Sequence, residues 1–383
     1  MKIGVITFFG NGNYGSELQA LAMQGFCKSR GHEVTFLRIY SSNKYIRICK
    51  RIKDRILIKI KCYLDDEYRR YYHDRKNNAN KQRAISTDLF KHISTSVNKY
   101  INMSNISQSG LKKSRLYDCY ICGSDQVWSA LRIPVWKENF LGDVSPMRKI
   151  AYAPSIGVNE VPNYYIHAVA PLIRDFKFLS VREQSAAEIF RKRIGVDPFV
   201  AVDPTILVGK KYWLDLLQKE QLPKPECSYI FCYFLGELND EQVDSLNRFA
   251  GDRKIIILPY EKHAERLNNA NYILADHLEF VNYIRYADYV FTDSFHATVF
   301  SILFHREFAV FQRSHVGVSK QTSRIESLLS LVQLDDHLVN NPNAVESFSD
   351  TNYDKVDEII EKERQKSIEF LDNALTHIQN KLK

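Results

Sequence analysis

An apolar run that stops at Thr292-Asp293-Ser294, continues through His296 and passes at once into a second apolar run, ATVFSILF, puts four hydrogen-bonding side chains between two segments that read as buried. Hydroxyls, a carboxylate and an imidazole together suit anion binding and proton transfer, since histidine ordinarily titrates close to neutrality. The same residues also suit plain helix capping by Asp293 or Ser294. Other apolar runs end in a similar way. Gly123-Ser124-Asp125-Gln126 follow YDCYIC, Ser155 and Gly157 follow KIAYAP, Arg182-Glu183 follow FKFLSV, and Asp203-Pro204-Thr205 follow FVAV. Each set alone reads as turn or cap chemistry; five polar strand ends in a row are harder to explain by capping alone.

The elements that must position these residues are legible from the apolar spacing. Short β-type runs are predicted at 2–8, 33–39, 117–123, 149–155, 176–182 and 199–208, and the pattern restarts at 228–235, 254–260, 287–293 and 307–311. Leu18, Leu21, Ala22, Gly25 and Phe26 repeat at helical spacing after the first run, and helical stretches separate most of the others. Strands alternating with helices imply parallel sheets wound on both faces, and the restart near residue 210 implies two such units. The expected division is 1–210, with a basic helical insert at about 40–115, then 211–350, then a long helix over 351–383 packing back across both. In such sheets ligands sit at the C-terminal strand ends, where exposed helix amides favour anions. Thr292 to His296 occupy that position.

The 383 residues are 45% hydrophobic, enough for two cores, and no apolar run approaches a membrane span. The start, MKIGVITFFGNG, lacks a signal pattern, and seven Cys form no paired framework, so a cytoplasmic location is expected. Cys119 and Cys122 make a C-x-x-C without a second ligand pair, and read as strand residues rather than a metal site. Gly12-Asn13-Tyr14-Gly15 is similar to a phosphate-binding turn but lacks G-x-G-x-x-G spacing, which argues against a dinucleotide. The net charge of +8 is concentrated: residues 44–83 hold fourteen Lys/Arg against five Asp/Glu. Within 45–63, Ile48, Ile52, Ile56 and Ile60 repeat every four residues, flanked by Arg47, Lys50, Arg51, Arg55, Lys59 and Lys61. This reads as an amphipathic helix, suited either to packing on a core or to docking on an anionic membrane. No base-reading module is recognisable, so nucleic acid is not an expected partner.

The segments NYGSELQAL (13–21), ICGSDQVW (121–128), YAPSIG (152–157), SVRE (180–183), VDPTIL (202–207), TDSFHATVFSILF (292–304) and SKQTSRIESLL (319–329), in this order, resemble the polysaccharide pyruvyl transferase family. The resemblance implies an α/β fold of two Rossmann-like domains facing across a cleft, like the glycosyltransferase-B fold. It implies phosphoenolpyruvate as donor substrate, a sugar hydroxyl pair as acceptor, a pyruvate ketal as product, and neither metal nor organic cofactor. By the same resemblance the acceptor is a surface polysaccharide or its polyprenyl-diphosphate-linked precursor, which a peripheral protein would meet at the inner face of the membrane.

A donor bearing a phosphate and a carboxylate needs fixed cations and amide donors. The expected donor pocket therefore comprises Arg182, Ser294, Phe295, Lys320 and Arg324, with His296 transferring the proton and Asp293 and Ser294 holding it in place. Asn13, Glu17, Ser124, Asp125, Gln126 and Asp293 are expected to face the acceptor or line the cleft. Some members of the family carry Arg two residues before the His, where this chain has Ser294, so Lys320 or Arg324 would carry more of the donor's charge. Two other functions remain open at this point: a nucleotide-sugar glycosyltransferase on the same architecture, and a non-catalytic polysaccharide-assembly protein. An exposed Arg182–Glu183 ion pair and a solvated Lys320/Arg324 helix face are the plainer alternatives for those residues.

Overall fold

The computed structural model describes residues 1–40, 44–70, 72–73, 85–107, 110–111, 116–130, 135–313, 323–339 and 351–382. Two parallel sheets organise them. The first contains β1 (Lys2–Ile6), β2 (Glu33–Tyr40), β3 (Met103–Ser107), β4 (Cys119–Cys122), β5 (Lys149–Ala151), β6 (Phe178–Val181) and β7 (Phe199–Val200), in the spatial order β3-β2-β1-β4-β5-β6-β7. The second contains β8 (Ile230–Tyr233), β9 (Ile255–Leu258), β10 (Ala270–Tyr272), β11 (Tyr289–Thr292), β12 (Glu307–Phe311) and β13 (Leu338–Val339), in the order β10-β9-β8-β11-β12-β13.

The central strands are apolar throughout because helices cover both faces: IFCY in β8 and IIIL in β9 are buried at every position. In the first sheet Ile3 pairs with Val34 on one side and Cys119 on the other; in the second, Tyr289 pairs with Ile230 and Glu307. The winding direction therefore reverses between β1 and β4, and again between β8 and β11. Crevices open at such reversals, at the C-terminal strand ends.

Three short strands escaped the sequence pattern: β3 lies within the segment read as a helical insert, and β10 and β13 are brief edge strands. The run 199–208 is a correction. Its strand ends at Val200, and Asp203 instead caps a short helix, Pro204–Leu207, because proline's fixed φ suits the first helical turn. Cys119 and Cys122 lie within β4, and burial pushes the Cys122 thiol up to about 12. The insert includes a helix, Thr87–Tyr100, whose Leu89, Ile93 and Val97 join the main core.

One apolar cluster runs from Ile3 and Phe36 in the first sheet through Phe231 and Val310 in the second to Leu371 and Ile378. At the junction Tyr14 stacks on Phe280 at 4.6 Å and donates its hydroxyl to the Ala275 carbonyl at 2.7 Å. The helix Tyr353–Leu382 fastens both units. Tyr353 donates to the Arg306 carbonyl, Arg364 to the Leu207 carbonyl, and Ser367 accepts from the Val202 amide. Among the described residues no helix is long and apolar enough to cross a membrane.

Candidate active site

The two crevices face each other, and His296 stands where they meet. It is the second residue of the helix Phe295–Leu303, which begins directly after β11. Ser294 precedes that helix in extended conformation without capping it through its side chain. Its carbonyl instead accepts from the Thr298 amide and hydroxyl, and its amide donates to the Thr292 hydroxyl. The imidazole is almost fully buried against Gly15 of the opposite unit, and a Cβ there would lie 2.0 Å from Nδ1. His296 Nε2 lies 3.7 Å from Asp203 Oδ1 and has no hydrogen-bond partner among the described residues.

Asp203 is the hub of the site. Its Oδ2 accepts from Arg182 Nη1 at 2.7 Å and lies 3.1 Å from the Ser124 hydroxyl, while Oδ1 accepts from the Thr205 amide and hydroxyl. Burial pushes this carboxyl up, but the His296 and Arg182 charges and the Thr205 bonds outweigh it and hold it well below the usual carboxylate range.

Arg182 follows β6 and is buried, with its guanidinium 4.4 Å above the Phe295 ring. Its Nε and Nη2 are also buried and meet no acceptor among the described residues. Glu183 is buried rather than exposed: Oε1 accepts from the Ser155 hydroxyl and the Ile156 and Gly157 amides, while Oε2 accepts no hydrogen bond among the described residues and lies 4.0 Å from Arg182 Nε. The Arg182–Glu183 ion pair is thus present at 4.0 Å but buried, which corrects the expected surface setting. Arg324 enters from the helix Ser323–Leu331 and is half-buried, with Nε likewise unpartnered among the described residues. Burial first, and the nearby Arg182 charge second, push its guanidinium down to about 10.

Asp125 closes the first-sheet side. Its φ of 58° is a left-handed conformation that costs energy for a residue other than glycine and tends to occur at functional sites. Its carboxylate accepts from the Ser16 hydroxyl at 2.6 Å and the Gln126 amide at 2.8 Å. Burial raises this carboxyl, yet Arg182, His296 and Arg324 bring it below its ordinary value. Gln126 is half-buried beside Gly157, where a Cβ would meet its side-chain amide at 2.5 Å.

Other expected residues hold turns. Asp293 does not orient His296: its carboxylate accepts from the Leu235 and Gly236 amides and from Arg313 Nε at 2.9 Å, joining the ends of β8 and β11. Glu17 is fully buried, and its two oxygens accept from the Gly10 and Asn11 amides, so it shapes the turn after β1. Asn13 caps the helix Tyr14–Ser29 through the Ser16 amide. Lys320 lies outside the described residues. The structure thus brings Arg182, Phe295, His296, Arg324, Ser124 and Asp125 together. It adds Asp203, Glu183, Gly15 and Ser16, which the candidate set omitted. Asp203 had a legible signal, an acid one residue before Pro-Thr at a strand end, but that pattern equally describes a helix cap.

Buried donors without acceptors are costly, on the order of 1–3 kcal/mol each. Arg182 Nε and Nη2 and Arg324 Nε are such donors, and the Arg182 guanidinium lies over Phe295, the first residue of the helix Phe295–Leu303. An anion carrying several oxygens would satisfy them, and the adjacent imidazole could exchange a proton with it.

A sequence profile described as polysaccharide pyruvyl transferase matches residues 13–315. No curated protein matches the chain. Among solved structures, similarity extends to the wall teichoic acid polymerase TagF with CDPG, at 12% identity and a TM-score of 0.45 over 100% of this chain and 90% of that one. An alpha-glucosyltransferase in complex with UDP is similar at 10% identity and 0.46, over 97% and 95%. The UDP-GlcNAc 2-epimerase from Neisseria meningitidis is similar at 10% identity and 0.42, over 94% and 100%.

Proposed function

Because this chain belongs to the polysaccharide pyruvyl transferase family, we propose that it transfers pyruvate from phosphoenolpyruvate to two hydroxyls of one sugar, as a ketal, and releases phosphate. The observation that carries this reading is the set of buried guanidinium nitrogens on Arg182 and Arg324 that have no hydrogen-bond acceptor among the described residues, with Arg182 and His296 both facing Asp203. Phosphoenolpyruvate supplies two anionic groups, matching two planar cations that offer paired donors. Phe295 holds the Arg182 plane from below.

The reaction needs a proton delivered to the donor's terminal carbon while a sugar hydroxyl attacks the adjacent carbon. The bond to phosphate oxygen then breaks, phosphate leaves with the electron pair, and the second hydroxyl closes the ketal. Of the two hydroxyl protons given up, one is balanced by the new methyl group and the other leaves with phosphate or water. His296 is the group placed to carry a proton, with the Asp203 carboxylate facing Nε2 to steady a charged ring. Ser124, Asp125 and Gln126, at the end of β4, are assigned to the acceptor side.

The test is incubation of the purified protein with phosphoenolpyruvate and a library of bacterial surface glycans. Phosphate release coupled to the mass gain of one ketal is the expected result. Glycan elongation from a nucleotide sugar, with phosphoenolpyruvate untouched, would overturn the assignment in favour of a glycosyltransferase.

A further inference from the structure

The helix Lys44–Leu64 has two unlike faces. Ile58 and Cys62, one turn apart, pack against Tyr68 together with Tyr164. The Asn163 amide donates to Glu67, tying the helical stretch at 66–70 to the helix Asn163–Arg174. At 3.6 residues per turn, Ile52, Ile56, Ile60 and Tyr63 fall within an arc of about 80°, roughly opposite that anchored face. They point to solvent: Ile52 and Ile56 are each 53% exposed, Ile60 48% and Tyr63 84%. Leu57 and Leu64 widen the exposed stripe, and no described residue covers it.

A stripe of isoleucines left in water is unfavourable unless something covers it. Its surroundings indicate what. Residues 44–64 contain eight Lys/Arg and a single acid, Asp54. Among the residues whose side chains are described, Lys53, Arg55, Lys59 and Lys61 are all exposed. A second copy of the chain docking symmetrically would bring these cations face to face, which disfavours a homodimer through this surface. Apolar side chains flanked by cations fit the boundary of an anionic bilayer, where the stripe enters the acyl region and the cations meet lipid phosphates.

The position also fits. The helix follows the C-terminal end of β2, and the helix it packs beside follows the C-terminal end of β5. Both belong to the sheet edge that bears Asp125 and Arg182. We propose that Lys44–Leu64 docks the protein on an anionic phospholipid bilayer, with the site edge of the first sheet turned toward the membrane. The proposal does not depend on the reaction assigned above, and its test does not use catalysis.

The experiment is co-sedimentation of the full chain with vesicles of phosphatidylcholine alone and with equal parts of phosphatidylcholine and phosphatidylglycerol. Binding is expected only to the anionic vesicles, weakening as salt rises. Lys53→Gln, Arg55→Gln and Lys59→Gln together should lower partitioning about a hundredfold, at roughly fivefold per charge. Ile56→Ser with Ile60→Ser retains every cation and should lower it at least about tenfold. Circular dichroism and a thermal melt check that each variant is folded. Equal binding to both vesicle types, binding to neither, or full binding by the Ile56/Ile60 variant would overturn the proposal. So would light scattering that shows a dimer lost on Ile56→Ser, which would make the stripe a contact between copies.

Discussion

Gly15 and His296 belong to opposite units yet leave no room between them for a methyl group: a Cβ on Gly15 would stand 2.0 Å from His296 Nδ1 and 2.6 Å from Cε1. Gly15 lies in the first turn of its helix, where alanine is intrinsically favoured. Gly15→Ala should therefore cost little as a helix substitution and act mainly by displacing the ring. The expected result is a fall in kcat of roughly 100-fold or more, the scale of a misplaced reacting group. Combined with His296→Ala, the two effects should not add, and steady-state kinetics of the double-mutant cycle checks this.

His296→Gln preserves much of the shape and hydrogen-bonding capacity but cannot titrate. Its turnover with saturating donor should fall by roughly 100-fold to 10,000-fold. Near-normal turnover would reduce His296 to a binding residue and move proton transfer elsewhere.

Arg182→Lys keeps a charge but loses the planar fork over Phe295. Donor affinity should weaken by roughly 1.5–3 kcal/mol, the scale of one charge-assisted hydrogen bond. Isothermal calorimetry with phosphoenolpyruvate measures it, and unchanged affinity in a folded variant would assign Arg182 to holding Asp203 alone.

Asp203→Asn tests the hub through pH. The carboxyl lies below its unfolded value in the native state, so the native protein binds fewer protons than the unfolded chain in acid. The stability this contributes is present above about pH 4 and is lost as pH falls. At neutral pH the variant should be less stable by about 1–3 kcal/mol, since Arg182 loses its charged partner. Below about pH 4 the gap should narrow. Urea unfolding at several pH values would show this, and a gap that stays constant would contradict it.

Much of the architecture was legible because parallel strands buried on both faces leave unbroken apolar runs, as IFCY and IIIL do. Short edge strands such as Ala270–Tyr272 and Leu338–Val339 carry too few apolar positions to stand out. In the site, Arg182, Asp125 and His296 could be singled out because strand ends bring polar residues to one edge. Where a carboxylate turns is not written locally. Asp203 and Asp293 both follow apolar runs, yet one faces His296 and the other binds Gly236 and Arg313. Glu183 looked exposed because its neighbour is charged, and only the fold shows the Ser155–Gly157 turn wrapped around it.

The Ser367 hydroxyl that receives the Val202 amide lies 165 residues further along the chain. The loop bearing Asp203 is therefore braced by a part of the protein synthesised long after it. On the ribosome the first sheet can gather early, since units fold from the N-terminus as they emerge. The loop bearing Asp203, however, has to wait for the final helix before it is held. An N-terminal half made alone would retain Arg182 and Asp203 but lack His296 and the bond beneath their loop, so competence would arise only late in biosynthesis.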